Sequence, residues 1–171
     1  DVKVEEIFSV MLNEMDKRLK GVKNKIDSHN YNIHEIITLA SIVEKEGTKN
    51  SDRKGIAGVF YKRLNSGWSL GSDVTTYYAA KVELNERDLY AEEINSRNAY
   101  NTRSDYLAGK LPVGPICNPS IDSINAVLNP TMGDYYYFVA DKNKKVYFSK
   151  NLEEHNNTIY RLKINDLWYE Y

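Results

Sequence analysis

The sequence has one cysteine, Cys117, and only three histidines among its 171 residues. A single cysteine excludes an intrachain disulfide, and no cluster of cysteine and histidine provides the ligands of a zinc site. We therefore interpret Cys117 as a small hydrophobic residue rather than as a reactive thiol. The sequence predicts no resident metal ion and indicates no particular redox compartment.

An excess of one charge and a long apolar run are also missing. The 23 basic and 24 acidic residues give a formal net charge of -1, so electrostatics offers no reason to expect nucleic acid or an anionic membrane surface as a partner. No apolar run approaches the roughly 18 residues that span a bilayer. The first residues, DVKVEEIF, do not form a signal peptide. We expect a soluble segment, which begins with Asp as an excised fragment would and leaves an upstream anchor open.

The balance of apolar and charged residues suits one folded domain. With 42% hydrophobic and 27% charged side chains, the chain has the composition of a globular domain. A domain of this size buries about 70% of its unfolded surface. There is no internal repeat, low-complexity tract or clear linker, so we predict a single domain over residues 1–171.

Apolar residues at helical intervals predict an amphipathic first helix that ends near Gly21. Its stripe consists of Ile7, Val10 or Met11, Met15 and Leu19, and we expect this stripe to pack against the core. A second helix is predicted from Asn32, since Glu35 follows three residues later as in a capping box. Its end is predicted at Glu46, because Gly47 has the residue type of a C-cap.

The remaining segments predict an α+β domain that is mainly helical. Further helices are expected from about Ser51 to Asn65, near Ser72, near Arg87, over SIDSINAVL and from Asn151 to about Trp168. DYYYFVAD and KVYFS predict two strands, and thus a small β-hairpin or sheet over about residues 135–149. The stretch YNTRSDYLAGKLPVGPICNP holds three of the four prolines and predicts a long surface loop. Such loops are often functional.

Two carboxylates, Glu44 and Glu46, close the second helix in the stretch IITLASIVEKEGTKN. They point about 160° apart around the helix, so they do not face one cleft together. Periodicity alone does not choose between them. A carboxylate in the last turn meets the negative end of the helix dipole, which with partial burial would raise its pKa and suit a general acid. This favours Glu46; the alternative is two solvated carboxylates that pair with nearby lysines.

Five ordered blocks of the sequence resemble one known family. They are LASIVEKEGTKNSDRKGIAGVFYKRL, LGSDVTTYY, AYNTR, GKLPVGPICNPSIDSINAVLNP and DYYYFVADKNKKVYFSKNLEEHN, and together they cover about residues 33–156. In this order they resemble the YceG-like family of endolytic murein transglycosylases. Gly71, Val74, Arg103 and Val113 depart from the residues more usual in the family's motifs, which bears on substrate contacts more than on the reaction.

The resemblance implies a lysozyme-like catalytic domain that cuts the glycan strands of peptidoglycan internally. It implies Glu46 as the catalytic residue and a structural role for Glu44. In the implied reaction Glu46 protonates the glycosidic oxygen and then takes a proton from the muramoyl C6 hydroxyl, which gives a 1,6-anhydro end without metal or cofactor. It also implies peptidoglycan and cell-wall synthesis proteins as partners. An upstream membrane anchor and LysM-like domain would hold the catalytic domain on the extracytoplasmic face of the cell membrane.

Substrate contacts are predicted at the helix near Ser72 and in the last helix. Asp73 and Thr75 have short hydrogen-bonding side chains, with capping of the following helix as the alternative. His155 is a further candidate ligand, or else a hydrogen-bonded structural histidine.

Further substrate contacts are predicted in the loop and in the first strand. Tyr100, Asn101 and Thr102 place an aromatic ring beside amide and hydroxyl groups, which suits N-acetyl sugars. In the run from Tyr135 to Tyr137 the side chains alternate along a strand, so we expect at least one ring in the core and another available to substrate.

Two other function classes compete with this one. A non-catalytic glycan-binding module would show the same aromatic and amide residues without needing Glu46. A pyridoxal-phosphate aminodeoxychorismate lyase, an activity assigned to some relatives, would need a Schiff-base lysine and a phosphate cradle. The sequence has no Gly-rich phosphate loop, and we expect no cofactor.

Overall fold

A computed structural model describes residues 2–47 and 49–168 of the chain. Its elements are, in chain order, α1 (Val4–Lys20), α2 (Lys23–Asp27), α3 (Ile33–Glu46), α4 (Asn50–Asn65), α5 (Asp73–Ala80), α6 (Ala91–Ile94), a 3₁₀ turn (Asp105–Leu107), α7 (Ile121–Leu128), β1 (Tyr137–Ala140), β2 (Val146–Ser149) and α8 (Leu152–Ile164). The described chain is mainly helical with one two-stranded antiparallel sheet, so the predicted α+β class is confirmed. Its likeness to lysozyme stays a prediction.

The core is built mainly by α3, α4 and α7. The sequence of α3 is apolar over most of its length, and residues 36 and 38–43 of this helix are buried. The large side chains that are almost completely enclosed in these three helices include Ile36, Leu39, Ile42, Ile56, Phe60, Ile124 and Val127. Burial of each such side chain contributes about 1.5–3 kcal/mol. The core therefore fixes the position of α3, at whose end Glu46 lies.

Both ends of α3 are set by local interactions. The Asn32 side chain accepts a hydrogen bond from the Glu35 N–H at 3.0 Å, and the Glu35 carboxylate accepts one from the Asn32 N–H at 2.8 Å. At the other end Gly47 is extended, with its N–H bonded to the Val43 oxygen at 2.9 Å. The predicted capping box and the predicted end at Glu46 are both confirmed.

The β-hairpin and the segment before it pack closely on α4. The hairpin register pairs Phe138 with Phe148. A Cβ added to Gly55 would lie 2.4 Å from the Phe148 Cζ atom, and one added to Gly58 would lie 2.1 Å from the Thr131 carbonyl oxygen. The two glycines of α4 thus allow a ring and a backbone carbonyl to approach the helix.

The first helix differs from the sequence-based expectation. α1 buries none of its residues, and Ile7 and Met11 of its apolar stripe are 49% and 57% exposed. The prediction that this stripe packs against the core is wrong, because only the end of the helix, at Leu19, reaches the core. The pattern nevertheless forms a helix, supported by ion pairs such as Glu14–Arg18 four residues apart. Among the described residues, neither α1 nor any other helix has both the length and the apolar character needed to cross a bilayer.

Two other helix boundaries also differ. No helix begins at Arg87; its guanidinium binds the Glu93 carboxylate at 2.7 and 2.9 Å, and α6 begins only at Ala91. The last helix ends at Ile164 rather than near Trp168. Asp166 has a φ of 52°, and this left-handed conformation is incompatible with a continuing α-helix.

Candidate active site

Glu46 lies at the C-terminal end of α3 and points to the start of α5. The Ser72 hydroxyl donates a hydrogen bond to Glu46 Oε1 at 2.5 Å. Burial raises the pKa of Glu46 to about 7, and the Asp73 charge adds to this rise, while Ser72 and Arg63 act against it. Burial, and not the helix dipole considered from the sequence, is the largest cause of this rise. A carboxyl group with a pKa near 7 is suited both to donate and to accept a proton at neutral pH.

Glu44 has a different environment from Glu46. Its Oε2 atom accepts hydrogen bonds from the Ser120 N–H at 3.0 Å, the Ser120 hydroxyl at 2.5 Å and the Ser123 hydroxyl at 2.6 Å. Arg53 lies 3.4 Å from the other oxygen. Burial alone would raise the pKa of Glu44, but the bonds from the serines, with the Arg53 charge, lower it overall. Because Ser120 is the N-cap of α7, Glu44 joins the start of α7 to α3.

Arg63 is a residue of this region that sequence reasoning missed. Its Nε atom donates to the Tyr136 carbonyl oxygen at 2.7 Å, and its Nη1 atom donates to the Leu70 carbonyl oxygen at 2.6 Å. Its guanidinium also lies 5.2 Å from the centre of the Tyr137 ring. Arg63 therefore joins α4 to the segment before α5 and to the first strand. No local pattern distinguishes this arginine from the other charged residues of α4.

An aromatic cluster, formed by Trp68, Tyr136, Tyr137 and His155, lies beside Arg63. The Trp68 and Tyr136 rings are 4.8 Å apart, and the Tyr137 and His155 rings stack at 5.2 Å. Trp68 is 44% exposed, so part of the cluster is open to a ligand. Burial and the Arg63 charge lower the pKa of His155, which favours its neutral form. The cluster offers flat apolar surfaces beside polar groups.

The burial of the three tyrosines from Tyr135 to Tyr137 differs from the sequence-based expectation. Tyr136 and Tyr137 are half-buried members of the aromatic cluster, whereas Tyr135 is exposed and its ring lies 5.7 Å from that of Phe148. None of the three rings is fully buried in the core. The strand begins only at Tyr137, so strict alternation does not hold before it.

Three of the predicted substrate contacts are enclosed by the protein. Thr75, Asn101 and Thr102 have no exposed surface. The Thr75 and Thr102 hydroxyls lie 2.8 Å apart. The Asn101 amide donates to the Ile94 and Ser96 carbonyls at 2.9 Å each. In this structure the three side chains hold the backbone around α5 instead of facing solvent.

Two other predicted contacts, Asp73 and Tyr100, border open space. Asp73 is exposed and forms an ion pair with Arg103; it lies in the first turn of α5 and does not cap it. Tyr100 is half-buried, packs edge-on against Tyr78 at 4.8 Å, and borders a cavity of about 780 Å³. This cavity is also lined by Lys45, Val74, Tyr77, Lys81 and Asn98. A cleft thus lies beside α5, whose first turn lies next to Glu46.

The histidines and the cysteine are separated from one another. His34 bonds the Val113 carbonyl at 3.0 Å, His29 packs near aromatic rings, and His155 belongs to the aromatic cluster. Cys117 is half-buried, its thiol donates to the Ser41 carbonyl at 3.3 Å, and burial raises its pKa. Within residues 2–47 and 49–168, no three acidic, histidine or cysteine side chains gather as metal ligands would.

Comparison with known proteins shows that this chain matches one protein family over most of its length. The sequence profile of the YceG-like family matches residues 1–161. An endolytic murein transglycosylase of Streptococcus pneumoniae strain D39 is 40% identical over 161 residues, which cover 91% of this chain and 28% of that protein. One of Bacillus subtilis strain 168 is 38% identical over 157 residues, which cover 91% and 42%. The chain therefore spans less than half the length of these curated relatives.

A solved structure has the same fold. The crystal structure of a YceG-like protein of Listeria monocytogenes superposes with a TM-score of 0.83 and is 38% identical in sequence. The alignment covers 92% of this chain and 50% of the other.

Proposed function

The chain belongs to the YceG-like family, and from this we propose that it is the catalytic segment of an endolytic murein transglycosylase with Glu46 as its catalytic residue. The observation that carries the proposal is the Glu46 carboxyl group, partly buried at the end of α3 and held by Ser72, with a pKa of about 7. We also propose that the protein acts on the extracytoplasmic face of the cell membrane, where peptidoglycan lies, alongside proteins of cell-wall synthesis.

In the proposed reaction, protonated Glu46 donates its proton to the glycosidic oxygen between N-acetylmuramic acid and N-acetylglucosamine. The bond from that oxygen to C1 of the muramoyl residue breaks. The Glu46 carboxylate then takes the proton of the muramoyl C6 hydroxyl, whose oxygen forms a new bond to C1. The products are a 1,6-anhydro end and a free C4 hydroxyl, and Glu46 is protonated again. An internal hydroxyl takes the place of water, so one carboxyl group is enough.

The carboxylates near Glu46 support this single-residue mechanism. Ordinary glycoside hydrolases use two carboxyl groups. Asp73 is the described carboxylate whose charge raises the pKa of Glu46, but it is ion-paired with Arg103. Glu44 is bound to the start of α7. Among the described residues, Asp73 is the candidate that we consider for a second catalytic carboxylate, and the identity of the product decides whether it is used.

The sugar contacts that we propose belong to two groups of residues. The partly exposed Trp68 of the aromatic cluster offers a surface on which a sugar ring can stack. Tyr100 borders the cavity beside α5, which is also lined by Lys45, the residue before Glu46. A glycan strand that contacts both groups would bind through several sugars, which suits cleavage within a strand.

The product test uses peptidoglycan digested in oxygen-18 water. If the C6 hydroxyl is the nucleophile, the new muramoyl ends carry a 1,6-anhydro bond and no heavy oxygen at C1, and mass spectrometry finds them lighter by one water than hydrolysed ends. Long strands are expected to shorten to mixed lengths early in the digest, since cutting is internal. Ends labelled with oxygen-18 as the main product would contradict the transglycosylase proposal and indicate a hydrolase. The absence of any new ends would indicate a glycan-binding module.

A substitution of Glu44 tests the division of roles between the two glutamates. Glu44→Gln replaces a carboxylate that accepts three hydrogen bonds and faces Arg53. We expect the free energy of unfolding to fall by about 1–2 kcal/mol, while glycan cleavage per folded molecule stays close to that of the wild type. Urea unfolding and cleavage assays on the same samples measure the two effects. Glu153→Gln, at an exposed position of α8, is the control; an inactive but folded Glu44→Gln would contradict the structural role.

A further inference from the structure

We propose that Thr75 and Thr102 form a positioning pair that holds Ser72, and that Ser72 thereby fixes which oxygen of the Glu46 carboxyl group exchanges the catalytic proton. The proposal rests on the proposed function of Glu46. Ser72 and the two threonines are positioning residues, since they act through Glu46 and not on the substrate.

The backbone around Ser72 is fixed from both sides. The Ser72 N–H donates to Thr102 Oγ1 at 3.1 Å, and the Ser72 carbonyl oxygen accepts from Thr75 Oγ1 at 2.7 Å. The N–H of the preceding residue, Gly71, donates to the Thr102 carbonyl at 2.8 Å. Ser72 is only 2% exposed and both threonines are fully buried. Buried and satisfied hydrogen bonds of this kind hold a backbone in one conformation.

The hydrogens of the two threonines are used within the pair. Each hydroxyl has one hydrogen. Thr75 gives its hydrogen to the Ser72 carbonyl. It has no other hydrogen to donate, so Thr102 is assigned as the donor in the 2.8 Å contact between the two hydroxyls. The pair therefore needs no hydrogen from the Ser72 side chain. The Ser72 hydroxyl is free to donate to Glu46 Oε1, at 2.5 Å.

This hydrogen bond makes the two oxygens of Glu46 different. Because Oε1 accepts the Ser72 hydrogen, a proton on Glu46 resides on Oε2. Oε2 then donates the proton to the glycosidic oxygen and later receives the C6 hydroxyl proton, while Ser72 stays bonded to Oε1 and exchanges nothing. The charged groups around Glu46 are Arg63 of α4 and Asp73 of α5, and Asp73 is paired with Arg103 of the loop after α6. Those charges shift the pKa of Glu46, whereas Ser72 determines which of its two oxygens carries the proton.

The first test follows the titration of the Glu46 carboxyl carbon by carbon-13 NMR. Ser72→Ala removes a donor that stabilises the ionised carboxylate, so the titration should move to higher pH by roughly one pH unit. Thr102→Val should move it in the same direction, because Ser72 loses the acceptor that fixes its N–H. Thr102→Ser keeps the hydroxyl and should titrate like the wild type.

The second test measures glycan cleavage across pH. For Ser72→Ala we expect kcat at neutral pH to fall about 10- to 100-fold with little change in KM. The alkaline limb of its profile should move with the NMR titration, a shift that a merely structural role would not produce. Thr158→Val removes a buried hydroxyl of α8 that bonds the Glu154 carbonyl, and this matched control should change neither measurement.

Two results would overturn the proposal. One is an unchanged Glu46 titration in Ser72→Ala, and the other is a titration of Thr102→Ser that shifts as far as that of Thr102→Val. If Thr102→Val does not fold, the pair Thr75→Val and Thr75→Ser provides the same comparison. If the wild type cleaves no glycan, the proposed function fails, while the NMR titration still decides whether Ser72 and its threonines control the Glu46 proton.

Discussion

Glu46→Gln is expected to abolish glycan cleavage while the chain remains folded. The amide has nearly the shape of the carboxyl group and still accepts a hydrogen bond from Ser72, but it has no proton to donate and cannot accept one as a base. Loss of a general acid and base costs about 10²–10⁴ in rate for each role, so we expect activity to fall below detection in a product assay by mass spectrometry.

The same substitution should stabilise the protein at alkaline pH. The pKa of Glu46 is raised in the folded state, from an ordinary value of 4.5 to about 7. Between these pH values the folded chain keeps a proton that the unfolded chain has released. The free energy of unfolding therefore falls as the pH rises from 4.5 to about 7, and the whole of this loss is present above pH 7. The penalty amounts to up to about 3 kcal/mol at pH 8. Because glutamine does not ionise, Glu46→Gln should match the wild type near pH 4 and exceed it at pH 8.

Urea unfolding at these two pH values checks this expectation. The control is Glu153→Gln, whose stability should follow the wild type at both. A Glu46→Gln protein that is inactive and also less stable than the wild type at pH 8 would show that Glu46 supports the fold, and would remove the basis for its catalytic assignment. Full activity of a folded Glu46→Gln would contradict that assignment directly.

Gly58→Ala is expected to produce the largest loss of stability among single-methyl changes in α4. The new Cβ would lie 2.1 Å from the Thr131 carbonyl oxygen and 3.0 Å from its carbon, so the backbone of one segment would have to move. Overpacking costs about 1–3 kcal/mol or more, and the higher helix propensity of alanine returns up to about 1 kcal/mol. We expect a net loss of roughly 1–2 kcal/mol, which lowers the Tm by about 2–8 °C for a domain of this size.

Thermal unfolding followed by near-ultraviolet circular dichroism measures this change. Gly21→Ala is the matched control, since Gly21 has ordinary helical angles and its Cβ would meet no atom closer than 3.8 Å. Gly21→Ala should leave the Tm almost unchanged. Equal effects of the two substitutions would show that the segment at Thr131 is not held against α4 as the structure has it.

The features of the fold that could be predicted from the sequence depend on neighbouring residues. The capping box of Asn32 and Glu35 and the end of α3 before Gly47 are local, and the structure confirms both. The raised pKa of Glu46 could also be predicted, from the position of this residue in the last turn of its helix. Its catalytic role stays a prediction until a variant is assayed.

The features that could not be predicted join distant parts of the chain. Ser72 bonds Glu46 across 26 positions, and Thr75 bonds Thr102 across 27. Pairs so far apart in the sequence leave no local pattern. Short polar residues that contact sugar therefore look the same in the sequence as those that bond one another. The burial of Asn101 was missed for the same reason.

Because α1 is largely separate from the core, local unfolding of this helix should require less free energy than unfolding of the whole domain. A helix of 17 residues has only marginal stability in water when tertiary contacts do not support it. Amide hydrogens of α1 should therefore exchange with solvent through local opening, whereas those of α3 exchange only when the whole core opens. The cooperative transition expected in denaturant then belongs to the residues that follow α1, and we expect the helical signal of α1 to be lost gradually alongside it.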